Sequence, residues 1–257
     1  IATLSKIDGI DDIALTTNGY LLAKNAHPLK DAGLNRLTIS LDSIDEDIFK
    51  KMSGRPQGPA NTLEGIKVAT ELGFSPIKIN VVVQRGVNDH TLVDTARYFK
   101  GTGAIVRFIE FMDVGTKNGW DLSQVVTSKE VIEKIGEEFA LEPVVANYAG
   151  EVASRYRYAD GDGEIGVISS VSEPFCGNCT RARLSTDGKL VTCLFASGGT
   201  DLKQSLRSGA TDNEIAEIVG RVWTGRTDRY SDLRSKDTEF KGNATGGDKV
   251  EMYYIGG

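Results

Sequence analysis

The sequence is short of basic residues, histidine and cysteine, and each shortage excludes something. Thirty lysines and arginines stand against 36 aspartates and glutamates, a net charge of −6. That balance excludes a nucleic-acid protein held by general basicity, so an anionic ligand must be caught by local cations. No run of about 18 apolar residues occurs, so no membrane-spanning helix is expected. No stretch reads as a secretory signal, and the expectation is an intracellular, cytoplasmic protein. The two histidines, His27 and His90, are remote in sequence from the cysteines, although folding could bring one in. Three cysteines, an odd and clustered count, fit a reducing compartment better than a disulfide framework. With 257 residues and 40% hydrophobic content, the chain can bury the core of one large domain or of one and a half.

The cysteines carry the most information. Cys176, Cys179 and Cys193 all lie in the stretch 174–195, spaced C-x2-C-x13-C, with Arg181 and Arg183 between the second and third. A C-x-x-C pair directs two thiolates at one metal centre, and a third cysteine on a returning strand can join them. Thr186–Lys189 (TDGK) reads as a hairpin turn that swings Cys193 back toward the other two. A closed zinc site wants four protein ligands, whereas an iron–sulfur cluster on three cysteines leaves one iron open. On spacing alone both readings stand, the alternative being a zinc knuckle completed by Asp, His or water, beside two solvated arginines.

The rest of the chain alternates. Short β-rich runs start at 13, 37, 77 and 105, with helical patterns between them, the rhythm of βα units and a parallel sheet. Ser43 with Glu46, Asn61 with Glu64, Thr127 with Glu130 and Thr211 with Glu214 read as capping boxes. After Met112 the rhythm breaks into a helix, two strands at 155–158 and 165–170, the cysteine hairpin and a last helix. The division is therefore placed at 125/126, with βα repeats before it and an α+β region after it. A parallel βα array puts its chemistry at the carboxyl ends of its strands, here Thr16–Asn18, Ser40–Asp42 and Met112–Asp113. Lys78, inside the most apolar strand, must pair or face a polar space, because a buried ammonium costs several kcal/mol. Glu110 on a neighbouring strand and a ligand phosphate are both open as its partner, and Arg107 carries the same ambiguity. Gly256-Gly257 is either a frayed end or a backbone slim enough to thread a narrow site.

Seven strings in order, LTTNG (15–19), ISLDS (39–43), KINVVVQRGVND (78–89), RFIEFMDVG (107–115), FCGNCTRARLSTDGK (175–189), RYSDLR (229–234) and the terminal YIGG, resemble the MoaA family of radical S-adenosylmethionine (SAM) enzymes. These are the GTP 3′,8-cyclases of molybdenum-cofactor biosynthesis. The resemblance implies an α/β fold: a partial (β/α)6 radical SAM barrel lacking its first units, followed by an α+β region with a three-cysteine cluster. By position, Cys176, Cys179 and Cys193 resemble the ligands of a C-terminal 4Fe–4S cluster that binds guanine through its open iron. Thr16, Lys78, Arg107, Arg181 and Arg183 resemble GTP-binding residues, and Ser40 and Met112 resemble SAM contacts. Gly256 and Gly257 resemble a tail that reaches the active site and is needed for productive SAM cleavage. The resemblance also implies a second 4Fe–4S cluster, GTP and SAM as small-molecule partners, the next pathway enzyme (cyclic pyranopterin monophosphate synthase, MoaC) as a protein partner, and a homodimer. The C-x3-C-x2-C loop of the SAM-cleaving cluster is not among these residues, so the expectation is an N-terminally truncated chain, inactive alone. A non-catalytic iron–sulfur nucleotide-binding module and a zinc-stapled domain are the alternatives.

Overall fold

The computed structural model describes residues 1–236 and 249–255. The chain forms two compact units: Ile1–Phe111 with Ser123–Ser169, and Met112–Leu122 with Ser170–Gly257.

The first unit is a mixed α/β fold with a parallel-rich sheet. Its elements are β1 (Ala14–Thr17), α1 (Leu22–Asp31), β2 (Arg36–Ser40), α2 (Glu46–Ser53), α3 (Ala60–Glu71), β3 (Ile77–Val83), α4 (Leu92–Phe99), β4 (Ala104–Glu110), α5 (Ser128–Gly136), β5 (Leu141–Val144), β6 (Ser154–Tyr158) and β7 (Glu164–Ile168). The strand order is β1-β2-β3-β4-β7-β6-β5. The first five neighbours run parallel, and β6 and β5 are antiparallel additions.

Period-two alternation decides the two faces. Along β3, Ile77, Ile79, Val81 and Val83 are buried and Lys78, Asn80 and Val82 are less so. The buried set packs with Leu37 and Ile39 of β2, Val106 and Phe108 of β4, and the apolar stripes of α1, α3, α4 and α5. The helices thus cover one face of the sheet and leave the other to polar side chains. At its N-terminus α5 carries the expected capping box, with Glu130 N–H on Thr127 Oγ1 and Thr127 N–H on the Glu130 carboxylate.

Three expectations need correction. The cap of α2 is Asp45, whose carboxylate accepts the N–H groups of Asp47 and Ile48 at 3.0 Å; Ser43 instead accepts the N–H of Asp45. The N-cap of α3 is Pro59, without a side-chain bond, rather than Asn61. The segment 126–169, assigned to the C-terminal region, belongs to the first unit's sheet. There β7 (EIGVI) is buried at four of its five positions, and an apolar strand of that kind needs a central place, which it takes between β4 and β6.

The second unit is built on a small antiparallel sheet, β10-β9-β8, from β8 (Arg183–Leu184), β9 (Lys189–Val191) and β10 (Thr200–Asp201). With it go α6 (Leu202–Arg207), α7 (Asp212–Thr224) and α8 (Tyr230–Lys236). The turn at TDGK forms as expected: Gly188 takes φ +86° and its N–H reaches Ser185 O at 2.9 Å. The capping box of α7 is present. A buried ion pair, Lys249 with Asp113, ties the described C-terminal segment to the start of the unit. Among the described residues, no helix is long and apolar enough to cross a membrane.

Candidate functional site

The expected site residues fall into two groups, one in each unit.

In the first unit they share the polar face of the sheet. Register places Thr16 beside Thr38, and Thr38 beside Lys78, in one row. One step toward the strand ends, Ser40 stands beside Asn80, and Asn80 beside Arg107. Thr16 and Ser40 are exposed, and Lys78 and Arg107 are half-buried. The residues between them serve structure. Thr17 Oγ1 accepts the N–H of Gly19 and Asn18 O accepts the hydroxyl of Thr62, so the turn after β1 is self-contained. Asp42 accepts the N–H of Val82 at 2.9 Å, and burial holds its carboxyl above the ordinary range.

Arg107 donates through Nε to Asn80 Oδ1 at 2.9 Å. Its pKa is lowered by burial, with Tyr148 and Glu151 working against the shift. Lys78 is likewise lowered, first by burial and then by the charges of Arg107 and Arg36, against a pull from Glu151 and Glu164. Glu164 is engaged by Arg155 in a half-buried ion pair. Glu110, the alternative partner for Lys78, lies elsewhere: it is buried and accepts the N–H of Ser128 at the start of α5. Among the described residues Lys78 has no ion pair, and it lines a small cavity of about 40 Å³ with Arg107, Tyr148, Glu151 and Arg155. Sequence reasoning missed Arg36 and Asn80. Both were findable by counting in twos, from Thr38 back to 36 and from Lys78 forward to 80.

In the second unit, β8 pairs with β9 as Arg183 with Val191, and the ladder ends there, two residues before Cys193. The cysteines are unbridged and half-buried. Arg181 Nη2 donates to Cys179 Sγ at 3.3 Å, and its guanidinium lies 5.2 Å from the Phe175 ring centre. Burial opposes ionisation of Cys179, but the N–H of Arg181 and the guanidiniums of Arg181 and Arg226 outweigh it, and the thiol sits below its usual value. Cys193 goes the other way, raised by burial and then by Asp228 and the other two cysteines, against the N–H of Phe195. Arg183 is lowered by burial and by Arg181. The three sulfurs are therefore within electrostatic reach of one another. Yet among the described residues no three His, Cys, Asp or Glu side chains are grouped to hold a single metal ion. Cys193 also lines a cavity of about 530 Å³ with Thr192, Phe195, Asp228 and Tyr230. Thiols within electrostatic reach of one another and of two guanidiniums have the chemistry to hold an anionic group larger than a single ion. Met112 is half-buried, and its carbonyl accepts the side-chain amide of Asn118 at 2.8 Å. Gly256 and Gly257 lie outside the described residues.

Comparison with known proteins extends this picture. Residues 1–99 match the Radical SAM superfamily, and residues 104–232 match Molybdenum Cofactor Synthesis C. The whole chain aligns with a GTP 3′,8-cyclase of Xanthomonas axonopodis pv. citri at 49% identity over 257 residues, covering 75% of that protein. A GTP 3′,8-cyclase of Staphylococcus saprophyticus matches at 46% over 258 residues, again with all of this chain and 75% of the relative. A solved radical SAM methyltransferase from Sphaerobacter thermophilus aligns over 49% of this chain and 36% of its own at 15% identity, with a TM-score of 0.39, too distant to carry an argument.

Proposed function

The chain belongs to the GTP 3′,8-cyclase family of radical SAM enzymes, and on that premise we propose how its residues divide the work of converting GTP into the 3′,8-cyclised nucleotide of molybdenum-cofactor biosynthesis. The observation that carries the proposal is 49% identity along all 257 residues to an enzyme of that name. The strand order 1-2-3-4, with helices on one face only, favours a segment of a (β/α) barrel over a doubly wound sheet, whose order reverses and whose helices take both faces. On that reading the first unit carries the barrel segment, its polar face lining the interior, and the second unit carries the cluster region.

The 4Fe–4S cluster and SAM that the family implies supply, when bound, a carbon radical able to take a hydrogen atom from the ribose. The chain's own residues bind and orient. Lys78 and Arg107 hold the triphosphate: both cations are partly desolvated and Lys78 lacks a carboxylate partner, so an arriving phosphate gains charge-assisted bonds at little further cost. Asn80 fixes the Arg107 fork, and Thr16 offers a hydroxyl on the same face. Cys176, Cys179 and Cys193 hold a second 4Fe–4S cluster with one open iron for guanine. Arg181 and Arg183 address the nucleotide at that cluster, as planar forks suit a base edge or phosphate. The orphaned, buried Nε of Arg181 supports a bound group at this point. Ser40 and Met112 contact SAM, and Gly256 and Gly257 serve its productive cleavage. The next pathway enzyme and a second copy of the chain are the proposed protein partners.

The test is anaerobic reconstitution, iron and sulfide analysis, and EPR during a GTP titration, on the wild type, Cys176→Ser and Arg181→Ala. The expected result is a cluster signal that Cys176→Ser removes, that GTP perturbs in the wild type, and for which Arg181→Ala weakens GTP by about 1.5–3 kcal/mol. Zinc in place of iron, or a cluster spectrum blind to GTP, overturns the assignment.

A further inference from the structure

Arg226, just past the end of α7, has no part in the roles above, yet it is built into the cysteine region. Its side chain is 15% exposed. The guanidinium lies 4.5 Å from the Trp223 ring centre, a cation–π stack that limits its rotation. Its Nε is 3.9 Å from Asp228 Oδ2, too long for a hydrogen bond. That same carboxylate oxygen is already taken by the Thr192 hydroxyl at 2.6 Å, next to Cys193. The Nη1 atom of Arg226 is buried with no partner at all.

A buried guanidinium N–H without an acceptor costs free energy, and such a group in a native fold calls for a partner that arrives later. The neighbourhood identifies the partner's chemistry. Arg226 reaches Cys179, the thiol that Arg181 also contacts, and Arg181 too has a buried orphaned nitrogen, Nε. Arg181 donates to that sulfur at 3.3 Å, and Asp228, 3.9 Å from Arg226, accepts the hydroxyl of Thr192 beside Cys193. Donors converging on a single cysteine suit an anionic sulfur-containing centre there, and hydrogen bonds to sulfur are a means by which proteins set a cluster's potential.

We propose that Arg226 is a positioning residue for the cluster held by Cys176, Cys179 and Cys193: its guanidinium, steered by Trp223 and Asp228, donates to sulfur at the Cys179 corner and favours the reduced cluster. The inference rests on the three-cysteine reading. Reduction adds negative charge, so a fixed cation at sulfur stabilises the reduced state, and its loss moves the midpoint to more negative values.

The test is an EPR-monitored redox titration of the whole protein, reconstituted anaerobically, following the signal that Cys176→Ser abolishes. Arg226→Met is expected to retain its iron and to disfavour the reduced cluster about tenfold, which for a one-electron couple is about 59 mV. Arg226→Lys, which keeps the charge without the planar fork, falls between. An unshifted midpoint in Arg226→Met overturns the proposal. If that variant no longer holds iron, Trp223→Leu decides, since it leaves the guanidinium but frees it: a midpoint shifted the same way supports the role, and an unshifted one overturns it. A wild-type signal indifferent to Cys176→Ser sinks the three-cysteine reading instead, a result distinct from either.

Discussion

Replacing Lys249 by methionine tests the polar arrangement that the second unit depends on most. Its ammonium donates to Asp113 Oδ2 at 2.8 Å, to Asp113 O at 2.9 Å and to the Tyr230 hydroxyl at 2.6 Å, three protons on three acceptors. Tyr230 in turn donates to Asp113 Oδ2 and stacks on Phe195 at 4.6 Å between ring centres. The two charged side chains are 5% and 6% exposed. Methionine roughly restores the volume, so the loss is of charge and hydrogen bonds and not of packing. Asp113 loses the ammonium from a buried pair, and removing one partner of such a pair costs about 3–5 kcal/mol. The assay is urea unfolding of the cluster-free protein followed by tryptophan fluorescence. Trp120 and Trp223 are the chain's two tryptophans and both lie in the second unit, so the signal reports that unit. The double variant Asp113→Asn/Lys249→Met removes both charges of the pair and is expected to cost less than the sum of the two single changes, a coupling of roughly 1–3 kcal/mol. A single-variant cost below about 1 kcal/mol, or strict additivity, would refute the reasoning.

Lys78→Met is expected to weaken GTP about 10- to 100-fold by calorimetry, through loss of a charge-assisted bond, and yet to stabilise the ligand-free protein. Because the folded pKa of Lys78 lies below the usual 10.5, its charge disfavours folding at neutral pH, and that penalty fades as pH rises from the folded value toward 10.5; wild-type and variant stabilities measured at pH 7 and pH 10 should therefore converge, and a gap that widens contradicts the assignment. Gly65→Ala is expected to destabilise the first unit by about 1–3 kcal/mol in denaturant unfolding, because a Cβ there would lie 2.8 Å from Leu22 Cβ and 2.9 Å from the Gly19 carbonyl oxygen, where α3 packs on α1; a neutral result would mean that the two helices can separate freely.

The parts of the fold legible in the sequence were those that local chemistry decides. The β3 bounds, the capping boxes of α5 and α7 and the TDGK turn each depend on a few adjacent residues. What the sequence hid was competition and partner choice. Ser43 and Asp45 both offer an oxygen to the same stretch, and only the path of the chain after β2 decides that Ser43 serves the N–H of Asp45 and that Asp45 serves the helix. Likewise nothing local to Glu164–Ile168 says that its parallel neighbour is β4, some 60 residues earlier. A strand's partner is a long-range matter, so the break in the βα rhythm, which reads locally as a domain boundary, marks the antiparallel edge of the same sheet.

The candidate site shows how far alternation alone could have gone. Lys78 pairs in register with Ile105, and counting in twos from Ile105 along β4 reaches Arg107 and Ile109 but never Glu110. Period two therefore excludes Glu110 as a partner on the polar face unless a bulge intervenes, and the unbroken ladder from Ile77–Ala104 to Val83–Glu110 has none. The strand bounds put Arg107 and Glu110 on opposite faces, and the register of β3 with β4 decides which of the two Lys78 shares. What parity cannot supply is the balance of charge on that face. Arg36, Lys78 and Arg107 meet only because β2, β3 and β4 are neighbours; Arg36 is held by Asp12 and Glu164 by Arg155, while Lys78 and Arg107 have no ion pair among the described residues. Two half-buried cations without an ion pair among the described residues, with Glu151 at the same cavity pulling on both, are a setting in which the binding of a polyphosphate would offset the cost of their burial.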